Sequence, residues 1–224
     1  MDISPTTAQR INRAAWTMAV LGTVVGQLHA LARFQVHPDD LAASPLARAW
    51  AEPATRTLRP LLDWADGWTV YLTYGKVWAP VCVALTAAAY LVYRRRRPGG
   101  AERRLWLVTL AAYVTMTLSV VGEYFTPWTD QMFVVGMAAA LVIAGSGIAL
   151  GVLLLRRGFR PRTTAALLVL FLPLMVVISS VTSLGNALLP LVWGWALASR
   201  AAVRAERGAR PDPGSRTAPV APRT

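Results

Sequence analysis

Long apolar runs separated by short clumps of arginine dominate this sequence. A helix needs about 20 mostly apolar residues to cross the hydrocarbon core of a bilayer. Cationic residues collect in the connectors that stay on the cytoplasmic side. Three clumps are prominent: Arg94 to Arg97 with Arg103 and Arg104; Arg156, Arg157, Arg160 and Arg162; and Arg200, Arg204, Arg207, Arg210, Arg216 and Arg223. The pattern predicts an all-α fold, a polytopic integral membrane helical bundle. A hydrophobic share of 55% and a mean hydropathy of +0.43 exceed what a soluble domain needs.

Six spans are expected, at about residues 14–33, 69–93, 105–123, 132–155, 164–181 and 186–202. The last two are read as separate because the polar stretch from Ser179 to Asn186 interrupts them. A single kinked helix there is the alternative and gives five spans. Charge favours six. With the amino terminus inside, six spans put 18 of the 22 arginines on the inner side and leave Arg33, Arg48, Arg56 and Arg59 outside. Five would strand the six-arginine tail outside. The domain reading is therefore a cytoplasmic segment 1–13, a bundle 14–203 with an outer loop 34–68, and a disordered basic cytoplasmic tail 204–224. Both termini face the cytoplasm, and the location is the cell (inner or plasma) membrane. A cleaved signal ending near Ala30-Leu31-Ala32 is a rival reading of the start. In the outer loop, Leu58, Leu61, Leu62 and Ala65 recur at helical spacing and predict a helix lying on the surface.

The net charge of +12 does not indicate nucleic acid, because the cations lie in connectors and a tail rather than along one face of a soluble helix. The partner implied is the bilayer, with its anionic lipids. One cysteine, Cys82, and two histidines, His29 and His37, leave no basis for a cysteine-based zinc site or a bis-histidine haem, so no metal and no cofactor is expected. No phosphate loop, H-E-x-x-H or G-x-S-x-G motif occurs. Asp39-Asp40 reads as a helix cap before Leu41.

Gly22 and Gly26, and Gly147 and Gly151, are small-residue pairs that let helices approach closely. They serve packing within the chain or, as the alternative, a homodimer. Pro80, Pro173 and Pro190 fall inside spans and free the carbonyls of Lys76, Val169 and Asn186.

Ionisable residues in or at the rim of the spans are few, and in lipid such groups find a partner or a wet cavity. They are His29, Lys76, Glu123 and Asp130, all toward the outer side. Lys76 and Glu123 are the expected ion pair. Tyr74, Tyr124, Trp128 and Asn186 are the expected lining of a shared vestibule that binds a ligand with Lys76. His29, Glu123 and Asp130 are the candidate catalytic set, because a histidine and a carboxylate can exchange protons near neutral pH.

Three functions stay open on these residues. The first is a non-enzymatic membrane module that binds a lipid-like ligand or supports a partner. The second is a membrane-embedded acid–base enzyme, isomerase- or cyclase-like, acting on an isoprenoid or other lipid-like substrate; it requires an apolar cavity below Glu123 or His29. The third is a small proton-coupled carrier, which requires a water path to the inner face.

Overall fold

A computed structural model describes residues 3–208. The described chain is helical, with no strand among the described residues. In order the helices are α1 (Pro5–Val36), α2 (Pro38–Ala43), α3 (Pro45–Thr57), α4 (Arg59–Leu62), α5 (Gly67–Gly75), α6 (Trp78–Arg96), α7 (Gly100–Phe125), α8 (Thr129–Arg156), α9 (Arg162–Val169), α10 (Phe171–Val181) and α11 (Leu189–Gly208). A short 3₁₀ turn, Asn186–Leu188, precedes α11. Of the expected tail, residues 204–208 complete α11, and the rest lies outside the described residues.

Among the described residues, four helical stretches are long and apolar enough to cross a membrane: α1, α5 with α6, α7, and α8. A fifth is reached if α9 and α10, bent by 68° at their junction, form one span. That is fewer than the six expected. Two physical causes account for the difference. Leu170 ends α9, and Pro173 cannot donate the amide that would tie the next turn to Val169, so the backbone turns sharply there. α11 is 20 residues long, but its second half carries Arg200, Arg204 and Glu206 and is too polar to pass as an apolar span. The outward surface of the stretches that do qualify is apolar: Val24, Leu118, Val134 and Leu141 are all well exposed there. In water such a surface would be an aggregation hazard; in lipid it is ordinary.

Local chemistry sets the helix ends. Ser4 caps α1 by accepting the Thr7 amide at 3.1 Å, and Pro5 occupies the first turn. His37 ends α1 because the residue before a proline avoids helical backbone. The outer segment after it is not a loop with one surface helix. The longer helix is α3, capped by Ser44, and α4 is a single turn. Leu62, Ala47 and Ala51 are buried against Leu31, Phe34 and Val70, so the segment packs onto the C-terminal end of α1 and onto α5.

The long helices form a closed set of neighbours: α1 packs on α6 and α11, α6 on α7, α7 on α8, α8 on α9, and α9 on α11. Gly22 and Gly26 face Val81, Leu189, Trp78 and Asn186; Gly147 and Gly151 face Leu168, Ala165 and Val169. Both small-residue faces are therefore taken up within the chain. The proline-freed carbonyls are partly re-satisfied at short range. The Lys76 carbonyl accepts from the Ala79 amide at 3.3 Å, and the Asn186 carbonyl accepts from the Leu189 amide.

The arginine-rich end of the bundle is dense. Trp195 donates to the Tyr113 hydroxyl at 2.9 Å, its ring lies 5.1 Å from that of Trp106, and all three residues are fully buried. Below them Glu102, also buried, is held by Arg96, by Arg157 at 2.6 Å and by the Trp106 indole at 3.3 Å. This carboxylate ties α6, α7 and α8 together. Arg95 pairs with Glu206 and donates to the Ile3 carbonyl at 3.2 Å, which brings in both ends of the described chain.

Candidate functional site

The opposite half of the bundle is hollow. A partly enclosed cavity of about 520 Å³ lies among α1, α5, α6, α7, α8, α10 and the 3₁₀ turn. Such a volume is within the usual range for a small-molecule site. Its wall is mostly apolar and includes Met116, Phe133, Ala140, Phe171, Met175 and Leu188. Its polar groups are concentrated on His29, Glu123, Tyr124, Arg33 and the serines at the end of α10.

His29 is the centre of that polar set and is only 2% exposed. The Trp78 indole N–H approaches its Nδ1 at 3.3 Å, and the Tyr124 hydroxyl lies 3.1 Å from its Nε2. An indole only donates. Nδ1 is therefore the acceptor, the ring proton sits on Nε2, and the Tyr124 oxygen accepts it. The phenolic proton is then left to turn toward the other polar neighbours of that hydroxyl, Glu123 and Tyr71. Tyr71 also stacks on the imidazole, with ring centroids 4.8 Å apart and planes at 23°. The result is two linked hydrogen bonds with a fixed direction, running from Trp78 through His29 to Tyr124, with the Glu123 carboxylate lining the same cavity.

Two glycines make the arrangement sterically feasible. The Tyr124 ring lies directly over Gly75, so close that a methyl group at that position would overlap it. A methyl group at Gly26 would likewise overlap the Asn186 side chain and come within 2.9 Å of the Trp78 ring. Close approach, rather than backbone freedom, is what these positions require.

The sequence-derived candidates divide. His29, Glu123 and Tyr124 meet at the cavity. Asn186 is buried just behind its wall, and neither polar atom of its amide has a partner. Lys76 does not meet Glu123: no such ion pair occurs among the described residues, Lys76 is exposed, and its ammonium lies 5.7 Å from the Phe125 ring centroid. The break between α5 and α6 turns it out of the bundle, and water or headgroups are a better environment for an ammonium than the interior. Asp130 and Trp128 are exposed outside the cavity lining. Tyr74 is half-buried but donates to the Leu61 carbonyl at 2.6 Å, which fastens the outer segment instead of lining the cavity.

Sequence reasoning missed Trp78, Tyr71 and Arg33 as parts of the site. The signal for Trp78 was its place well inside a span, where a buried indole N–H has to find an acceptor. Arg33 sits at the cavity mouth and is already committed, donating to the Thr182 carbonyl at 2.9 Å and to Asp40 at 2.6 Å. It joins α1 to the end of α10 more than it offers a vacant charge. Among the described residues no group of three His, Cys, Asp or Glu side chains is placed to hold a metal ion.

No protein-family model, no curated protein and no solved structure matches the chain.

Proposed function

We propose that this chain is a multi-pass cell-membrane protein whose outer cavity binds a lipid-like ligand, apolar along most of its length and carrying an uncharged hydrogen-bonding head. The observation that carries the reading is the cavity itself, about 520 Å³ with an apolar wall and a small polar set built on Glu123, Tyr124 and His29. Arg33 is neutralised by Asp40, so a charged head would gain little from it. The test is to purify the protein and Ala140→Phe in mild detergent and identify retained lipids by mass spectrometry. The wild type is expected to hold a defined lipid that the filled cavity loses. Identical lipid content in both would overturn the reading.

The topology proposed with it is six crossings with both termini cytoplasmic, α9–α10 and α11 being the fifth and sixth. Arg95 supports this, because it joins the start of the chain to the far part of α11 at the arginine-rich end. That juxtaposition fits an even number of crossings and the positive-inside rule. With Cys82 replaced by Ala, Ser4→Cys and Arg204→Cys should both resist a membrane-impermeant maleimide on intact cells.

An acid–base enzyme acting on an isoprenoid-like substrate is the second reading, and one observation favours it: Glu123 faces the same apolar cavity and adjoins the Tyr124–His29 pair. Catalysis requires Glu123 to exchange a proton with the ligand. Glu123→Gln would then keep ligand binding and change the lipid profile of expressing membranes. An unchanged profile would leave binding as the sole function. The carrier reading has less support, because Trp106, Tyr113 and Trp195 fill the bundle between the cavity and the inner face.

A further inference from the structure

The cavity reaches the surface of the bundle on one side. Its exposed lining residues are Phe133 on α8 and Val176 and Ser180 on α10, with Phe133 45% and Val176 58% exposed; the rest of the lining is buried or half-buried. The mouth is therefore the seam between α8 and α10. Phe133 stands four residues from the start of α8 and Val176 five from the end of α10, so both lie about 6–8 Å along their helices at ~1.5 Å per residue. In the membrane placement proposed above, that level belongs to the apolar part of the span, and Ser180 lies nearer the headgroups. Polarity inside the cavity runs the same way. Glu123 stands two residues from the end of α7, and Met116 lies about two turns deeper on the same helix. An amphiphile resting in the outer half of a bilayer already has this orientation and passes the seam without turning over.

α10 is the loosest wall of the cavity. Of its eleven residues only Phe171 and Met175 are buried, both in its first half. Its two hydroxyls bond back within the helix, Ser179 to the Val176 carbonyl at 3.2 Å and Ser180 to the Val177 carbonyl at 2.8 Å. Neither hydroxyl ties it to a neighbour. The helix has a pivot at each end. At Leu170 it meets α9 at 68°, and Pro173 has no amide to strengthen that junction. At Thr182 the backbone leaves helical geometry, with φ −132° and ψ −99°.

Two side chains from other helices hold the free end. Trp50 of α3 donates its indole N–H to the Val181 carbonyl at 3.0 Å. Arg33 of α1 donates to the Thr182 carbonyl at 2.9 Å and is itself held by Asp40 at 2.6 Å. We propose that α10 is a lateral gate: released by Trp50 and Arg33, it swings about Leu170 away from α8 and admits an outer-leaflet amphiphile to the cavity straight from the bilayer. The passage of a ligand rests on the binding function proposed above. The movement of α10 does not.

The experiment measures the seam directly, in phosphatidylcholine nanodiscs, by electron paramagnetic resonance distances. Spin labels are carried by Val134→Cys and Val177→Cys, both lipid-facing and well exposed, with Cys82 replaced by Ala. Trp50→Phe keeps a ring against Phe34 but loses the N–H that holds Val181. It is expected to add a population about 5 Å longer, the scale of a helix shift by one turn. A control pair across α7 and α8, Leu118→Cys with Val134→Cys, should not change. An unchanged α8–α10 distance would overturn the gate, and so would an equal shift in the control pair, which would mean general loosening. If Trp50→Phe does not assemble, Asp40→Asn is read in its place, because it frees the Arg33 guanidinium from an exposed position. An unchanged distance there overturns the gate as well.

A second measurement follows the co-purified lipid by mass spectrometry after excess phosphatidylcholine vesicles are added. Loss of one latch hydrogen bond should speed its exchange about fivefold while the amount held at equilibrium stays the same. An equal exchange rate, or a lower amount held, would overturn Trp50 as a latch. A wild type that retains no lipid would overturn the passage together with the binding function, whatever the distances show.

Discussion

The two ends of this bundle solve opposite problems with similar residues. At the arginine-rich end, the inner one in the proposed topology, a tryptophan, a tyrosine and a carboxylate are used to fill space: Trp195 bonds Tyr113, and Glu102 is enclosed by Arg96, Arg157 and Trp106. At the outer end Trp78, Tyr124 and Glu123 surround a void of about 520 Å³. These side chains bridge neighbouring helices there, so the helices are fastened. At the outer end hydrogen bonds run in one direction and finish at the cavity, and the Asn186 amide has no partner at all. A void and an unpaired buried amide both cost stability. The apolar void and the unpaired amide coincide at this end, which is where the fold would give up stability for the binding proposed above.

Substitutions can break that contrast, and the largest effect is expected at Glu102. Glu102→Ala leaves two guanidiniums and an indole without their shared acceptor. Breaking a buried pair costs about 3–5 kcal/mol, and because Arg157 is half exposed we expect roughly 2–3 kcal/mol here. Denaturation in detergent should show that loss with the ligand affinity of the remaining folded protein unchanged. A shift below about 0.5 kcal/mol would mean that the inner end is not fastened by this carboxylate.

Gly75→Ala comes next. The added methyl group overlaps the Tyr124 ring and must move it off His29. Overpacking of this kind costs about 1–3 kcal/mol. Unlike the Glu102 change, it should also abolish retention of the cavity lipid. Retained lipid with a stable fold would show that Tyr124 does not shape the cavity. Trp78→Phe should cost about 1–2 kcal/mol, because the buried Nδ1 of His29 loses its donor. Nitrogen-15 chemical shifts of His29 would follow it: the Nε2–H tautomer in the wild type, a mixture in the variant. The same tautomer in both would show that Trp78 does not set the direction of the chain. The smallest change is expected at Lys76. Exposed as it is, Lys76→Ala should alter stability by less than about 0.5 kcal/mol. A larger loss would restore an interior partner for it.

How much of this could be read from the residues differs by element. The apolar runs of α1, α7 and α8 are unambiguous because lipid demands length and apolarity together. The convergence of His29, Glu123 and Tyr124 was legible because few polar groups lie near the outer ends, and such groups seek one another in lipid. Lys76 misled for the same reason. Its sequence position puts it inside a span, but the interrupted backbone between α5 and α6 turns it outward, and helical phase cannot be carried across a break. Glu102 was hidden among arginines and read as part of a cytoplasmic connector, although the first turns of α7 draw it into the packed interior. The bend between α9 and α10 was signalled by Pro173, but its 68° depends on what the two halves pack against, and a proline alone does not specify that.

The indole of Trp78 carries one further implication. It is a terminus that never surrenders its hydrogen, so the relay it starts is a cul-de-sac: nothing handed to Tyr124 can leave by way of the imidazole and emerge on the far side of the membrane. If the cavity holds the ligand proposed above, acid or base traffic at Glu123 has to pass that occupant, which then becomes the stopper.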